Sequence, residues 1–366
     1  MCNKKQSPGT FPVPEPGSRK HERKLAGILP SMQRRDRARR FPLFAQSFPT
    51  THNAVIMTAT AIYRGRFAPS PTGPLHLGSL FCAMATYLDA RAHDGVWLVR
   101  IEDIDPFRDV PGADAAILHT LAAYGLASDE PVVRQSERGE LYEAALGTLL
   151  AQGRAFGCAC TAHEIKVEDE RLGLPRGIYP GTCRHGTGGR TVRSFRFLTD
   201  SRVISFNDRR CGPQSQNVEQ VVGDFVLKRA DGCWAYQLAV VVDDAAQGVT
   251  DVVRGEDLLT STARQIALQR ALGCATPRYL HIGLILGGDG EKLSKQRQAP
   301  AVPEEAPLGV LESLWPKFGF PALGADSLSH FWTTAVRLWR ERCVSQPPAS
   351  RDSRARVQET VDPPDA

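Results

Sequence analysis

Hydrophobic and polar positions change along the chain between strand-like and helix-like spacing, beginning at Tyr63. Residues 63–68 are predicted to form a short strand, and the apolar run 96–101 suits a strand buried in a parallel sheet. Helical spacing covers 80–92, 112–125 and 136–153, and a glycine lies at or just beyond each end. This alternation predicts an α/β fold with a doubly wound parallel sheet.

The second half of the chain is less regular. Residues 154–190 are rich in glycine and cysteine, which predicts an irregular inserted module. Strand-like segments return at 192–206 and 234–242, and a helix is expected from about Ser261 to Leu272, ended by Gly273.

The two ends of the chain have compositions that disfavour folding. Residues 1–60 contain 11 Lys or Arg and 3 Asp or Glu, so the formal net charge of +5 originates there. We predict that 1–56 is a disordered basic extension, or upstream sequence translated from a start codon assigned too early, since Met57 precedes the folded body. A nucleic-acid-binding arm is the alternative. Residues 57–345 would then be the folded body, and 346–366 a disordered tail.

Cysteine usage and hydropathy bear on the cellular compartment of the protein and on whether it spans a membrane. The nine cysteines are scattered rather than paired, and no secretory signal is recognisable. We therefore expect reduced thiols and a cytoplasmic location. No run of 18 apolar residues occurs in the sequence, so no membrane span is predicted.

One string of residues carries a specific chemical signal. Residues 66–79, R-F-A-P-S-P-T-G-P-L-H-L-G-S, lead from a strand through a stiff turn to a helix N-terminus. Such a terminus offers unpaired N–H groups and a favourable dipole to phosphate. His76 can donate to phosphate oxygens, and Gly78 allows a nucleotide close to the backbone. Taken alone, a His-x-Gly tripeptide is weak, because a single histidine is more often structural.

The whole string resembles the HIGH signature of class I aminoacyl-tRNA synthetases, in the form found in glutamyl-tRNA synthetases. A second string, E-K-L-S-K-Q at 291–296, follows a glycine turn and resembles the KMSKS loop, with Leu293 and Gln296 departing from it. The resemblance implies a Rossmann-like catalytic domain that binds ATP with Mg²⁺. It implies catalytic roles for His76, Lys292 and Lys295, and ATP binding by His76, Gly78, Ser79 and Lys295. No Walker-type phosphate loop is present in the sequence.

Further matches to this family indicate the amino acid. Glu102 matches a residue that contacts the substrate ammonium, Arg254 a substrate-binding arginine, and Tyr236 a tyrosine of the amino-acid pocket. Arg66 can pair with a carboxylate through two hydrogen bonds. Two arginines and one acid suit L-glutamate. The resemblance also assigns four neighbours of Arg66 to this pocket: Phe67, Ala68, Pro69 and Ser70.

The inserted module contains a candidate zinc site. Cys158, Cys160 and Cys183 supply three thiolates, whereas a structural zinc ion takes four ligands. Tyr179, His163 and His185 lie close in sequence, and general chemistry favours a histidine. The spacing, however, resembles that of truncated paralogues of glutamyl-tRNA synthetase in which tyrosine is the fourth ligand, which points to Tyr179. Reduced buried cysteines without metal are the alternative.

The resemblance extends from Tyr63 to Trp339, and the 70 residues after Gln296 are too few for an anticodon-binding domain. It implies a monomeric ligase of the truncated type. Such an enzyme activates glutamate as glutamyl-adenylate without tRNA, then transfers it to queuosine at the wobble position of tRNA(Asp), binding the anticodon stem-loop. The alternatives are an atypical glutamyl-tRNA synthetase that charges the tRNA 3′ end, and a catalytically inactive, zinc-stabilised RNA-binding protein.

Overall fold

A computed structural model describes residues 62–175, 177–285 and 300–344. The predicted extension 1–56, the tail 346–366 and the lysine-containing string 291–296 lie outside the described residues. Within the described ranges, no helix is both long and apolar enough to cross a membrane.

Ten strands and nine α-helices make up the described part of the chain. The strands are β1 Arg64–Phe67, β2 Val96–Ile101, β3 Val133–Arg134, β4 Ala155–Cys158, β5 Ser194–Phe197, β6 Val203–Asp208, β7 Gly212–Asn217, β8 Val226–Lys228, β9 Asp251–Gly255 and β10 Arg278–Ile282. The helices are α1 Leu77–Ala92, α2 Ala113–Ala123, α3 Gly139–Ala151, α4 Ala162–Leu172, α5 Val218–Val221, α6 Tyr236–Ala246, α7 Thr262–Leu272, α8 Pro307–Leu314 and α9 Leu328–Trp339.

The parallel sheet is built in two adjoining parts. β1, β2 and β3 pair in parallel, and β10 pairs in parallel with β9 on one side and with β6 on the other. The backbone N–H of Thr250 donates to the carbonyl of Arg64 at 3.0 Å, so the start of β9 lies beside β1. The predicted α/β fold with a parallel sheet is confirmed.

Helix α1 lies at the centre of the first hydrophobic core. Leu80, Met84 and Leu88 are completely buried on it. Helix α9 packs nearby, where the Trp339 indole N–H donates to the buried Asp89 carboxylate at 3.0 Å. A second core gathers α3, α6 and α7 against the other part of the sheet.

The predicted helices at 80–92, 112–125, 136–153 and 261–272 all occur, with ends within a few residues of those expected. The strand predicted at 234–242 is wrong, because this segment forms most of α6. Its β-branched run, Val240 to Val242, favours a strand in isolation. Residues 237–241 are all buried against the sheet and α7, and this tertiary packing overrides the local preference.

The inserted segment is more regular than predicted. It contains β4 and the 11-residue helix α4. Thr161 and Glu164 cap the N-terminus of α4 with reciprocal hydrogen bonds, each side chain accepting from the backbone N–H of the other residue. Strands β4, β5 and β8 form a separate antiparallel sheet that supports this segment.

The contact between Gly95 and Tyr63 generates a stability prediction. A methyl group on Gly95 would lie 2.5 Å from the Tyr63 carbonyl oxygen, closer than packed atoms allow. We expect Gly95→Ala to lower the free energy of unfolding by about 1–3 kcal/mol. Urea denaturation measures this change.

The matched control is Gly147→Ala in α3. No atom lies within 4 Å of the added methyl, and this exposed helical site should gain about 0.5–1 kcal/mol. Equal effects at the two glycines would contradict the packing described here.

Candidate active site

His76 lies at the start of α1, after the turn that follows β1. It is the residue that caps the helix: its Nδ1 accepts from the Ser79 backbone N–H at 3.2 Å, and its Nε2 is 3.0 Å from the Ser79 hydroxyl. Because Nδ1 is the acceptor, a neutral imidazole carries its proton on Nε2. Gly78 is the second residue of the helix. The structure thus places a histidine donor and a helix N-terminus together, as a phosphate site requires.

The loops that follow β1 and β2 are joined by backbone hydrogen bonds. The N–H of Glu102 donates to the carbonyl of Pro69, and the N–H of Val110 donates to that of Pro71, both at 2.9 Å. Residues 68–70 therefore lie beside Glu102 at the carboxyl edge of the sheet. Ligands of open α/β sheets bind at this edge.

Arg66 is buried and paired within the protein. Its Nε and Nη2 donate to the two oxygens of Asp244 at 3.0 and 3.2 Å. Arg100, which is completely buried, donates from Nη1 to the same carboxylate at 2.8 Å and from Nη2 to Glu102 at 3.1 Å. One carboxylate of α6 therefore fixes an arginine on β1 and another on β2. In Arg66, Nη1 is the nitrogen outside this pair.

Arg254 is buried near the end of β9, and its described hydrogen-bond partners, unlike that of Arg66, are uncharged groups. Its guanidinium donates to the Gln265 amide oxygen at 2.8 Å, the Thr262 hydroxyl at 2.8 Å and His281 Nε2 at 3.0 Å. The Leu258 carbonyl accepts from it at 3.3 Å. Among the described residues, none of the groups accepting from Arg254 is a carboxylate. The charge of this buried guanidinium therefore lacks a direct counter-ion in this part of the chain.

The phenol of Tyr236 is buried among the charged side chains described above. Burial raises its pKa, the positive charges of Arg254 and Arg66 act to lower it, and the carboxylates of Glu102 and Asp244 raise it further. The Arg254 guanidinium also lies 3.5 Å from the phenol oxygen. Arg254 contacts this phenol directly, while Arg66 and Glu102 are linked to each other through Asp244 and Arg100, so both sets of charges lie close enough to act on Tyr236.

Sequence reasoning missed several residues of this site. Arg100 and Asp244 form its charged framework, and Gln265 and His281 hold Arg254. One signal for Asp244 was present: a pair of aspartates at 243–244 directly follows the apolar run 238–242, where isolated charges are costly. Lys292 and Lys295 lie outside the described residues, so their placement relative to His76 stays a prediction.

The three cysteines of the inserted segment also come together. The Sγ atoms of Cys158, Cys160 and Cys183 are buried and lie within 4.8 Å of one another, and those of Cys160 and Cys183 are 3.6 Å apart. The Tyr179 hydroxyl lies 3.3 Å from Cys158 Sγ and 3.7 Å from Cys160 Sγ. In a tetrahedral zinc site, thiolate sulfurs are about 3.8 Å apart. The four atoms therefore fit one zinc ion.

The two alternative histidine ligands are placed differently. His163 on α4 and His185 are both exposed, and neither belongs to the cluster of thiols. Tyr179 is held by two further contacts: its hydroxyl accepts from the Cys183 backbone N–H at 2.9 Å, and the Arg196 guanidinium lies 4.0 Å from the centre of its ring. The geometry supports Tyr179 as the fourth donor.

Comparison with known proteins decides the family. Residues 63–306 match the family described as tRNA synthetases class I (E and Q), catalytic domain. A curated protein named glutamyl-Q tRNA(Asp) synthetase, from Albidiferax ferrireducens, is 53% identical over 289 residues, which cover 72% of this chain and 94% of that protein. The chain belongs to the glutamyl-Q tRNA(Asp) synthetase family of class I synthetases. It is a ligase-type enzyme.

Other relatives agree with this assignment. Proteins of the same name from Leptothrix cholodnii and Ralstonia nicotianae are 53% and 52% identical, and the matches cover 97% and 94% of their lengths. Among solved structures, a glutamate tRNA ligase from Elizabethkingia meningosepticum in complex with its amino acid is 31% identical, with a TM-score of 0.57. That match covers 73% of this chain and 56% of the ligase, so the chain spans just over half of its length.

Proposed function

We propose that this chain activates L-glutamate with ATP to form an enzyme-bound glutamyl-adenylate without tRNA, and then transfers the glutamyl group to queuosine at the wobble position of tRNA(Asp). The observation that carries the first step is the buried guanidinium of Arg254, which lies beside the Tyr236 phenol without a direct carboxylate partner among the described residues. A ligand carboxylate would give Arg254 a direct counter-ion, and a ligand ammonium would give Glu102 a second cationic partner besides Arg100. Family membership supports the second step.

Each of the proposed pocket residues would have a distinct role. Arg254 would bind a glutamate carboxylate, and Tyr236 would line the same space. Glu102 would accept from the ammonium. Arg66, fixed by Asp244 through Nε and Nη2, would offer Nη1 to the second carboxylate. Residues 67–70 would form the wall next to Arg66. Glutamine carries no side-chain charge and would supply only one of the two carboxylates that this arrangement would bind, which favours glutamate.

In the first chemical step, a carboxylate oxygen of glutamate attacks the α-phosphorus of ATP. A bond from that oxygen to phosphorus forms, the bond to the bridging oxygen breaks, and pyrophosphate leaves with its electrons. His76, through Nε2–H, would stabilise charge on the phosphate oxygens at the N-terminus of α1, with Gly78 and Ser79 beside it. Lys292 and Lys295 are proposed to neutralise the leaving pyrophosphate. Mg²⁺ bound to ATP would supply further positive charge.

In the second step, a hydroxyl of the queuosine ring attacks the carbonyl carbon of the mixed anhydride. The new ester bond forms, the hydroxyl loses its proton, and AMP departs. We propose that a catalytic body comprising 57–345, acting as a monomer in the cytoplasm, binds the anticodon stem-loop that carries this base. Residues 154–190 would be its zinc-binding insertion.

Two assays test the proposal in sequence. Purified protein should exchange labelled pyrophosphate into ATP when glutamate is present and tRNA is absent, because the first step needs no tRNA. It should then label tRNA(Asp) that contains queuosine, but not tRNA(Asp) lacking queuosine, nor tRNA(Glu). Labelling of tRNA(Glu) would contradict the proposed acceptor, and the absence of glutamate-dependent exchange would contradict the proposed activation.

The protonation of Glu102 gives a pH prediction. Burial raises the pKa of this carboxyl above its usual value, and Arg100 and Arg66 only partly oppose the rise. The ionised carboxylate is the form that binds ammonium, so a raised pKa removes that form at a higher pH than for an ordinary glutamate. The glutamate KM should therefore rise as pH falls, beginning above the ordinary side-chain pKa of about 4.3.

Glu102→Gln should raise the glutamate KM about tenfold or more at neutral pH, since a charge-assisted hydrogen bond is lost, and should abolish its increase in acid. Glu143→Gln, at an exposed ion pair with Lys228, is the control and should behave as wild type. Pyrophosphate exchange across pH measures both. An unchanged acidic rise in Glu102→Gln would exclude Glu102 as its source.

We further propose that Cys158, Cys160, Tyr179 and Cys183 hold one structural zinc ion. Metal analysis of the purified protein should find about one zinc per chain. Cys183→Ser should lose most of that metal and lower the midpoint of thermal unfolding, because metal binding contributes to folding.

Tyr179→Phe should weaken zinc retention against a chelator, whereas His163→Ala and His185→Ala should retain it. Loss of zinc from a histidine variant but not from Tyr179→Phe would assign the fourth ligand differently.

A further inference from the structure

His281 and Asp208 form a buried pair that the proposed mechanism does not use. Both are almost completely inaccessible, and His281 Nδ1 lies 2.7 Å from an Asp208 oxygen. On the other side of the ring, Nε2 lies 3.0 Å from Nε of Arg254. His281 and Arg254 are direct neighbours in the pairing of β10 with β9, so the sheet itself fixes their separation.

The direction of these hydrogen bonds follows from chemistry. An arginine Nε–H can only donate, so His281 Nε2 must accept. The ring then carries its proton on Nδ1 and donates it to Asp208. The aspartate is held as an acceptor by three backbone N–H groups, those of Arg210 at 3.0 Å, Cys211 at 2.7 Å and His281 at 3.1 Å. One tautomer of the histidine is thereby selected.

We infer that Asp208 and His281 are positioning residues that hold Arg254 as a fully charged donor for a carboxylate of the substrate. This inference rests on the proposed glutamate activation. A carboxylate in place of the imidazole would neutralise Arg254, and a protonated imidazole would repel it. A neutral acceptor orients the guanidinium, with help from Gln265 and Thr262, and leaves its charge for the ligand.

The electrostatic surroundings keep the imidazole neutral. Burial lowers the pKa of His281, and the charge of Arg254 lowers it further, against the opposing effects of Asp208 and Asp257. Tyr279 on the same strand stacks near the ring, and the Arg210 guanidinium, which is paired with Glu256, donates to the His281 carbonyl. Protonation of His281 should therefore not limit activity near neutral pH.

The test compares His281→Leu, which cannot accept from Arg254, with His281→Gln, whose amide oxygen can. In glutamate-dependent pyrophosphate exchange, His281→Leu should raise the glutamate KM about tenfold or more, because the acceptor of a charged donor is lost. The ATP KM and kcat should change less than about threefold. His281→Gln should recover most of the glutamate affinity. Calorimetric titration with glutamate gives the same comparison without catalysis.

The control is His330→Leu on α9, where the described partner of the exposed His330 ring is Asp326, at 3.0 Å, rather than an arginine. It should behave as wild type. Thermal unfolding of each variant reports folding. A merely structural His281 would lower stability and kcat together, without rescue by glutamine, and would overturn the inference. An unchanged glutamate KM in folded His281→Leu would also overturn it. Failure of wild-type exchange would instead refute the proposed activation.

Discussion

The shared carboxylate of Asp244 is the interaction on which the geometry of this site depends. Two buried arginines, from adjacent strands, donate to this one group of α6. Removing one member of a buried charge network leaves the others unpaired and costs several kcal/mol. The helix, the two strands and the loops that follow them are therefore constrained together. Glu102 belongs to the same network, because it accepts a hydrogen bond from Arg100.

The two arginines proposed to bind substrate differ in their electrostatics. Arg66 shares a carboxylate with Arg100, whereas the described partners of Arg254 are a phenol, an amide, a hydroxyl, a carbonyl and an imidazole. The first is fixed by internal charge, and the second is fixed by neutral groups. A site of this kind is oriented before the ligand arrives and still has positive charge to offer. This difference supports the proposal that a dicarboxylic amino acid is the substrate.

Local sequence was informative where local physics decides the structure. The strand, turn and helix around His76 were predictable because proline, glycine and apolar spacing define them, and the three cysteines were recognisable from their spacing. Helix α6 was not, since burial on the sheet overrode the strand preference of its valines. The contacts of Arg254 with His281 join two strands 27 positions apart in the chain. No periodicity in one segment reports such a pairing.

The most direct test of the account is a crystal structure of the protein with a non-hydrolysable sulfamoyl analogue of glutamyl-adenylate. We predict a glutamyl carboxylate within about 3 Å of the Arg254 guanidinium, the ammonium at a similar distance from Glu102, and the sulfamoyl group beside His76. An analogue bound with its glutamyl group away from Arg254 and Glu102 would contradict the account.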